Sequence, residues 1–574
     1  MRSVTLSVDL IVEMEKEQMR KLSSKLLSAL LVFGLLVVAL SFSATVAAQD
    51  GELVPPIRVH SQTQAESPVE FEATRLVVNN MQQLGLEVEH RAIPWAQVIT
   101  EVWETREGDD AWQMTAWRMV GRPERSDPDE FAYNLFHSTM AASGYNFPGY
   151  NNPEYDALAE AQRAELDPAT RQGLLFQAQE IIAEDVPNIY YLHESTPQLI
   201  RSDVWNADTV VTQAGIGINN LWTWIGLEPL GDQKTIITSC TVSLEAFNPF
   251  YIAGDCPSRA TEIIYDRMMR IGPDGLPQPW AAEEIVWEDD TTVVLTMREG
   301  MNWHDGNPVT IEDFQYSFDA VLSGEAPQYT PFASNVAGTE IVDDRTLRIT
   351  LNAPSAAFET STLSKLNIVP KHIWEPFVEE LLLDDTANLE TVQEEVPIGS
   401  GPYKMVAFDI NETVILEANS DHWAAPKAEG WIMNVVPNTE SILGQIQTGE
   451  LNFIWQWPGD SEILSEVAEA DPGIALFATP SLGMRYFAFN TRYAPFDDPA
   501  LRRAVAHVVP GQSIIDNIYK GFAVPADSYV STPIEFWHNP NLPHYEFSIE
   551  KAREVLAEAG YTWDADGRLH YPAG

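Results

Sequence analysis

The alternation of hydrophobic and polar positions is clearest near the middle of the chain. Apolar side chains at 285–287 and at every second position of 293–297, separated by Glu-Asp-Asp, predict a β-hairpin, because side chains of a strand alternate with a period of two. Apolar residues then recur at helical spacing over 314–322. Thr310, followed three residues later by Asp313, has the pattern of a capping box and predicts that this helix begins there.

The rest of the chain alternates short strands with helices. The pattern from Glu52 to Glu89 predicts a strand, a helix closed by Gly85 and a second strand. Further strands are predicted at 112–117, 189–192, 235–238 and 484–490. Helices are predicted to start where Asp or Asn precedes Pro, at Asp127, Asn152, Asp167 and Asp498. Strands that alternate with helices in this way indicate an α/β fold.

One stretch is specific enough to resemble a known family. The run LTMREGMNWHDGNPVTIED, residues 295–313, resembles the signature of the extracellular solute-binding proteins of peptide/nickel-type ABC importers, family 5. Residues 397–423 and 150–192 resemble two further segments of the same family. His304 beside Asp305 could suggest a catalytic or metal site. No second ligand or nucleophile lies nearby in sequence, so we expect a turn whose polar groups satisfy the local backbone.

The family segments occur in rotated order. Residues 150–192 resemble the C-terminal part of a family member, yet here they precede the signature. With residues 233–574 placed first and 51–228 second, the chain resembles one complete solute-binding protein in which each segment occurs once. The resemblance therefore implies a circular permutation, which works best at exposed loops between neighbouring termini. The alternative is a gene fusion or an assembly artefact that joins two partial neighbours.

The resemblance implies an α/β, two-lobed, periplasmic-binding-protein-like fold of type II, cluster C, with an extra domain. In such proteins two lobes close around the solute, and strands cross between them. Residues 484–490 and 189–192 are the expected crossings. The implied segments are 51–189 (second lobe), 190–232 (return to the first lobe and permutation link), 233–277 (first lobe), 278–397 (extra domain), 398–483 (first lobe) and 484–574 (hinge and second lobe).

The net charge limits which partners the protein can bind, and the N-terminal sequence indicates where in the cell it is located. The 574-residue chain has a formal net charge of −50, which argues against nucleic acid and anionic membranes, since both are bound through Lys and Arg. Basic residues at 20–25, an apolar run at 26–42 and a small-residue site predict a signal peptide over 1–48. The apolar run has about the minimum length of a membrane-spanning helix, so an uncleaved membrane anchor is the alternative to a cleaved signal peptide. Met19 is an alternative start of translation. We expect a periplasmic or extracellular location.

The chain has two cysteines, Cys240 and Cys256. In an exported chain, a pair this close in sequence predicts a disulfide, with two free buried thiols as the alternative. Two cysteines alone do not make a zinc site, and the histidines form no cluster in the sequence. We therefore predict neither a metal nor a cofactor.

The resemblance also implies a set of ligand contacts. The residues that match ligand-contacting or hinge positions of the family are Trp95, Trp117, Tyr251, Asp255, Arg485 and Tyr486. Ordinary packing is the alternative for each of them. Peptide-binding relatives carry an Asp shortly after the second of these tryptophans, and no Asp stands at that place here. Arg118, Arg122 and Arg125 favour an anionic or polyol ligand, unless they are simply solvated.

Catalytic motifs are missing from the sequence. No HExxH, GxSxG or P-loop pattern occurs, and paired carboxylates carry little information in so acidic a chain. We predict a non-catalytic, monomeric protein that captures a peptide or similar small solute between closing lobes and delivers it to the permease subunits of an ABC importer. The alternatives are a sensory binding protein that presents a non-peptide solute to a receptor, and a secreted hydrolase.

Overall fold

The computed structural model describes residues 51–573, except 109–110, 143, 242–246, 252–253, 382–387, 393–396 and 458. The predicted signal peptide and Gly574 lie outside the described residues. Strands and helices alternate along the chain, which confirms the predicted α/β class. No helix within the described ranges is long and apolar enough to cross a membrane.

The elements have the following bounds. The described strands are β1 (Ile57–Gln62), β2 (Val88–Ile93), β3 (Met114–Met119), β4 (Asn188–Arg201), β5 (Thr235–Cys240), β6 (Met269–Ile271), β7 (Pro277–Pro279), β8 (Ala282–Asp289), β9 (Thr292–Met297), β10 (Val336–Ile341), β11 (Thr346–Leu351), β12 (Tyr403–Asp409), β13 (Thr413–Ala418), β14 (Gly430–Val435), β15 (Phe453–Ile454), β16 (Ile474–Pro480), β17 (Met484–Phe489), β18 (Ala523–Val524), β19 (Thr562–Trp563) and β20 (Leu569–His570). The described α-helices are α1 (Pro68–Gln83), α2 (Trp95–Val98), α3 (Asp129–Asn134), α4 (Pro153–Ala164), α5 (Pro168–Asp185), α6 (Leu221–Gly226), α7 (Asp255–Ile264), α8 (Ile311–Leu322), α9 (Thr330–Ala333), α10 (Lys371–Leu381), α11 (Thr439–Thr448), α12 (Ser461–Ala470), α13 (Pro499–Ala506), α14 (Gly511–Asn517) and α15 (Ile549–Glu558). Short π-helical turns lie at Ile99–Glu104 and Glu359–Leu363.

An eight-stranded sheet runs through the molecule in the order β15-β4-β17-β3-β1-β2, with β16 and β18 also paired to β4. Strand β1 is parallel to both β2 and β3, and α1 connects β1 to β2. This is the strand-helix-strand unit predicted for residues 52–89. Strand β17 runs antiparallel between β3 and β4, so segments far apart in the chain are neighbours in one sheet.

Strand β4 serves two sets of partners. Its first residues, 188–192, pair with β17, and its last residues, 195–201, pair with β16. Between them, residues 193–194 pair with β18. The strand therefore passes from one part of the molecule to another as a single element, with one register shift against β17 between Arg485 and Tyr486.

Two smaller sheets have the orders β12-β13-β14-β5 and β10-β11-β9-β8. The second contains the predicted hairpin, β8 and β9, and α8 follows it. The predicted capping box is confirmed, because the Thr310 side chain accepts from the backbone of Asp313 and the Asp313 carboxylate accepts from the Thr310 N–H.

One predicted helix start is displaced. The helix after Asp127 begins at Asp129, whose N–H donates to the Asp127 carboxylate at 2.9 Å. The same carboxylate also forms two bonds of 2.8 and 2.7 Å with the buried guanidinium of Arg171. An arginine that presents two N–H groups to one carboxylate is a stronger partner for it than backbone N–H groups alone. The caps predicted at Asn152, Asp167 and Asp498 are confirmed.

Residues from both ends of the described chain share one hydrophobic core. It contains Val59 and Val77 from the first part, and Phe487, Leu501 and Leu556 from the last part. The backbone is also bonded across this seam, since the Val54 N–H donates to Leu569 O at 3.0 Å. The two ends therefore fold as one unit.

Gly85 makes the seam possible. It follows α1 with a φ of +89°, and its carbonyl accepts a 2.9 Å hydrogen bond from the Leu569 N–H. A Cβ atom at this position would lie 2.2 Å from the carbonyl oxygen of Gly567. Both the left-handed backbone and the close approach require glycine here.

His304 joins the segment after β9 to residues 399–401. Its Nδ1 accepts from the Gly399 N–H at 3.3 Å, and its Nε2 donates to Gly401 O at 3.0 Å. The predicted local bonding holds for Asp305, which accepts from the Asn307 N–H at 3.0 Å, whereas His304 bonds to backbone groups of a distant segment. A Cβ at Gly399 would lie 1.9 Å from Ile264 O, so the glycine allows the backbone to approach the end of α7.

The neutral state of His304 makes the stability depend on pH. Burial lowers the pKa of His304 to about 4, whereas an unfolded histidine has a pKa of about 6.5. The unfolded chain therefore binds more protons between these values, and stability is lost as the pH falls through them. We expect the free energy of unfolding to drop by roughly 3 kcal/mol from this group between pH 6.5 and 4.

Urea denaturation at several pH values checks this expectation. His304→Gln should remove this part of the pH dependence, and the control His544→Gln, at an exposed histidine, should retain it. Equal acid profiles for the two variants would contradict the assignment.

Cys240 at the end of β5 is disulfide-bonded to Cys256 in the first turn of α7, which confirms the predicted pair. The two residues are 16 positions apart and both side chains are buried. We expect the Cys240→Ala/Cys256→Ala variant to lose about 3 kcal/mol of unfolding free energy, because the cross-link restricts the unfolded chain. Reductant should destabilise the unchanged protein but not the variant. Two titratable thiols in the unfolded, unreduced protein would refute the bond.

Candidate functional site

A cavity of about 280 Å³ lies where distant parts of the chain meet. One wall is formed by residues 121–123, which follow β3 of the large sheet. Other parts of the lining are residues of α7 and β6, between Gly254 and Ile271, and Thr360, Ser364 and Lys365. Gln213, Leu221 and Trp222 also line the cavity, and Trp222 donates its indole N–H to Ile271 O at 2.9 Å. A molecule in this space would touch both sides at once.

Helix α7 supplies the polar side of the cavity. Its apolar residues Ala260, Ile263 and Ile264 are fully buried on one face, as the helical period requires. Arg259 and Glu262 lie on the other face and line the cavity. The amphipathic pattern of α7 therefore turns its charged side chains toward the space.

The cavity wall carries an excess of positive charge. Its cationic residues are Arg122, Arg259, Arg267, Arg270 and Lys365, and its one described carboxylate is that of Glu262. Glu262 Oε2 lies 3.2 Å from Arg259 Nη1, and Oε1 lies 3.8 Å from Arg270 Nη1. Burial raises the pKa of Glu262, but the surrounding arginines outweigh burial and lower it below its usual value. Glu262 is therefore ionised and shared between two guanidinium groups.

Asp266, just after α7, holds this side of the cavity in place. It is fully buried and accepts from Trp280 Nε1 at 2.7 Å and from Ser400 Oγ at 2.9 Å, with His422 Nε2 at 3.3 Å. Burial opposes its ionisation, but His422 and Arg270 lower the pKa of Asp266 below its ordinary value. A carboxylate bonded in this way fixes three chain segments relative to one another.

The predicted aromatic residues form a cluster at β3. The rings of Trp95 and Trp117 are 4.9 Å apart, and Trp103 stacks at 6.0 Å on Trp117. Tyr486 pairs in register with Trp117 across β17 and β3 and is fully buried. Trp95 and Trp103 are half-buried, whereas Trp117 is only 5% exposed.

Arg485 lies on the opposite face of the sheet from Trp117 and Tyr486. Its guanidinium bonds to Glu194 at 2.9 Å and to Glu70 at 3.1 Å, and the side chain is buried. Burial lowers the pKa of Arg485, but the carboxylates of Glu194 and Glu70 raise it by more. The pKa of Arg485 therefore lies above its usual value. The donors of this arginine are thus largely used within the protein.

The other two predicted residues belong to the β5–α7 connection. Tyr251 is 39% exposed. Asp255 is the first residue of α7, and its side chain lies outside what the structure describes. Among the described residues, the cavity wall contains Gly254 and Ser258 on either side of Asp255, but not Trp95, Trp117, Tyr251, Arg485 or Tyr486.

Sequence reasoning singled out Arg122 but missed Arg259 and Arg270. The helical spacing around Arg259 was a usable signal, since the apolar residues of α7 leave it on the polar face. Arg270 gave no signal, because it lies within the short strand Met-Arg-Ile and is 2% exposed. Within the described ranges, no group of three or more His, Cys, Asp or Glu side chains could hold a metal ion.

Comparison with known proteins finds one family. A family model described as bacterial extracellular solute-binding proteins, family 5 Middle, matches residues 277–572, just over half of the chain. Glutathione-binding protein GsiB of Pectobacterium atrosepticum is 28% identical over 282 residues, which cover 48% of this chain and 51% of that protein. Heme-binding protein A of Haemophilus influenzae is 24% identical over 384 residues, which cover 63% and 66%. The chain thus spans about half to two thirds of the length of these curated relatives.

Solved structures also match. The oligopeptide-binding protein AppA from Bacillus subtilis, in complex with a nonapeptide, is 20% identical with a TM-score of 0.41, over 60% of this chain and 68% of that one. NikZ from Campylobacter jejuni, in complex with Ni(L-His), is 21% identical with a TM-score of 0.42, over 59% and 66%.

Stability measurements separate a structural from a ligand-binding role for Arg485. We expect Arg485→Met to lower the unfolding free energy by roughly 3–5 kcal/mol, because it leaves two carboxylates without their buried partner. The control Arg348→Met removes surface pairs with Glu288 and Glu340, and it should leave the free energy of unfolding nearly unchanged. Unchanged stability of Arg485→Met together with weakened solute binding would contradict the structural role.

Proposed function

This chain belongs to the bacterial extracellular solute-binding proteins of family 5, and we propose that it captures a small solute and delivers it to an ABC importer. The observation that carries the proposal is the cavity whose walls come from both sides of the β4 and β17 strands. Solute-binding sites of this kind are concave and lie between parts that can move relative to one another.

The two lobes that we propose follow from the shared cores. Residues 51–189 together with 484–573 form one lobe, because they share a sheet and a core. Residues 190–277 and 398–483 form the other, with 278–397 as an extra domain that packs into the same core as this lobe. The Ala356 N–H donates to Arg163 O at 2.8 Å, so the extra domain touches the first-named lobe. We propose that β4 and β17 are the strands about which the lobes close.

We assign the predicted ligand residues different roles. Trp95 is the aromatic side chain that we expect to reach solute, because it is half-buried on a support of Trp103 and Trp117. Trp117 and Tyr486 are buried and hold that support, and Arg485 positions the hinge strand. Tyr251 and Asp255 lie in the segment that borders the cavity. Rigid aromatic side chains are frequent binding anchors.

A peptide or a compound of similar size is the solute class that we propose first. One relative is named for glutathione, a tripeptide, and another for heme. We further propose that the protein acts as a monomer without catalysis, in the periplasm or on the outer face of the cell membrane, with permease subunits as partners.

We infer that the family segments stand in circularly permuted order. The bonds between residues 52–54 and 569–571 support this, because they bring the two ends of the described chain together. The family match is continuous from 277 to 572, and residues 51–189 complete the same sheet and core.

A thermal-shift screen of peptides, oligosaccharides and metal chelates tests the function. A solute present at 100 times its Kd should stabilise the protein by about 2.7 kcal/mol, because it binds the folded state only. We expect micromolar or tighter affinity and a Trp95→Ala variant that binds at least tenfold more weakly with an unchanged melting temperature. Turnover of any bound compound, or the absence of any stabilising solute, would overturn the proposal.

A further inference from the structure

Arg270 has donors that the protein does not use. Its Nη2 donates to Glu262 O at 2.8 Å and to Tyr265 O at 2.7 Å, at the end of α7. Its Nε and Nη1 are buried and have no hydrogen-bond partner in the described chain. Nη1 lies 3.8 Å from Glu262 Oε1, which is too far for a hydrogen bond. A buried charged donor without a protein partner is costly, so an added acceptor at this wall would be stabilised.

Arg259, one helical turn before Glu262, is a second guanidinium group with an unused buried donor. Its Nη1 donates to Glu262 Oε2 at 3.2 Å, whereas its Nε is buried without a partner in the described chain. Two guanidinium groups therefore compete for one carboxylate. Burial, followed by the charge of Arg267, lowers the pKa of Arg270 to about 10, as expected where positive charge is under-compensated.

The charge of the wall differs from that of the whole molecule. The chain has 84 acidic and 34 basic residues, yet five cationic side chains and one described carboxylate line this cavity. A structural role for Arg270 as a cap of α7 accounts for its Nη2 bonds. It does not account for the unused Nε and Nη1, nor for the position of Arg122 across the cavity.

We propose that this cavity binds an oxyanion group of the solute, a carboxylate or a phosphate, between Arg270 and Arg259 on one wall and Arg122 on the other. The inference rests on the proposed solute capture and narrows it to anionic solutes. The oxygen atoms would accept from the unused donors of the two buried guanidinium groups. Arg122 would complete the contact from the opposite lobe, so the anion would also favour the arrangement in which the lobes meet.

Isothermal titration calorimetry of the purified, oxidised protein tests the inference. One arm compares tripeptides that carry a free C-terminal carboxylate with the same tripeptides amidated at the C-terminus. The other arm uses inorganic phosphate and glycerol 3-phosphate, with glycerol as the uncharged counterpart. We expect the anionic member of at least one arm to bind roughly 10- to 100-fold more tightly than its neutral counterpart, as charged hydrogen bonds imply.

Substitutions of the cavity arginines test whether these side chains cause the preference for anionic probes. Arg259→Gln should reduce the affinity for the anionic probe roughly 10- to 100-fold and leave the neutral counterpart unaffected. Arg122→Gln, at an exposed side chain, should act in the same direction with no loss of folding. The control Arg348→Gln lies on the sheet formed by β8–β11 and should bind like the unchanged protein. Arg270→Gln is the less decisive change, since it also removes bonds to the end of α7.

The outcomes separate this inference from the proposed function. Equal affinity for anionic and neutral probes, or unchanged anion binding by both Arg259→Gln and Arg122→Gln, would overturn the anion site. If the thermal-shift screen then found a neutral solute, the function would stand without it. If no solute of any charge bound, both would fail.

Discussion

The structure depends on one continuous strand. Residues 188–192 of β4 are bonded to β17 and residues 195–201 to β16, so a single backbone carries two parts of the molecule. Because β4 is buried on both faces over 188–192 and 197–200, a slip of one position would exchange the side chains of two packed faces in both parts. The register is therefore fixed from both sides. Between these two stretches, residues 193–194 are bonded only to the short β18 among the described strands.

A second constraint is electrostatic. A molecule with a net charge of −50 repels small anions at long range, and this repulsion is screened over roughly 8 Å at physiological salt. Inside the cavity the local charge is positive, because partly buried arginines line it. The acidic surface and the basic cavity thus act over different distances. The surface limits non-specific anion binding, whereas the cavity acts only on a group that has entered it.

Local features could be predicted from the sequence. The hairpin of β8 and β9, the capping box at Thr310 and the caps at Asn152 and Asp167 depend on neighbouring residues, and the structure confirms them. Cys240 and Cys256 were predicted as a pair because export and proximity limit the choices.

Long-range features could not be predicted in this way. Strand β17 is buried on both faces, so its sequence has no alternation to show that Arg485 and Tyr486 point to opposite sides. The partner of Arg485, Glu70, is 415 positions away. Asp127 resembled a helix cap because the pattern Asp-Pro is local, whereas its buried partner Arg171 is not. The cavity combines residues 121–123 with Arg270 in the same way, through packing between distant segments.

The disulfide between Cys240 and Cys256 has a consequence for recognition. It ties the end of β5 to the start of α7, and the segment between them reaches the cavity through Gly254. A loop that must become ordered when a solute arrives subtracts that entropy from the affinity. Here part of the ordering is complete once the thiols are oxidised, before any solute is met. Under the proposed function, the oxidised chain would therefore bind its solute at a smaller entropic cost than the reduced chain.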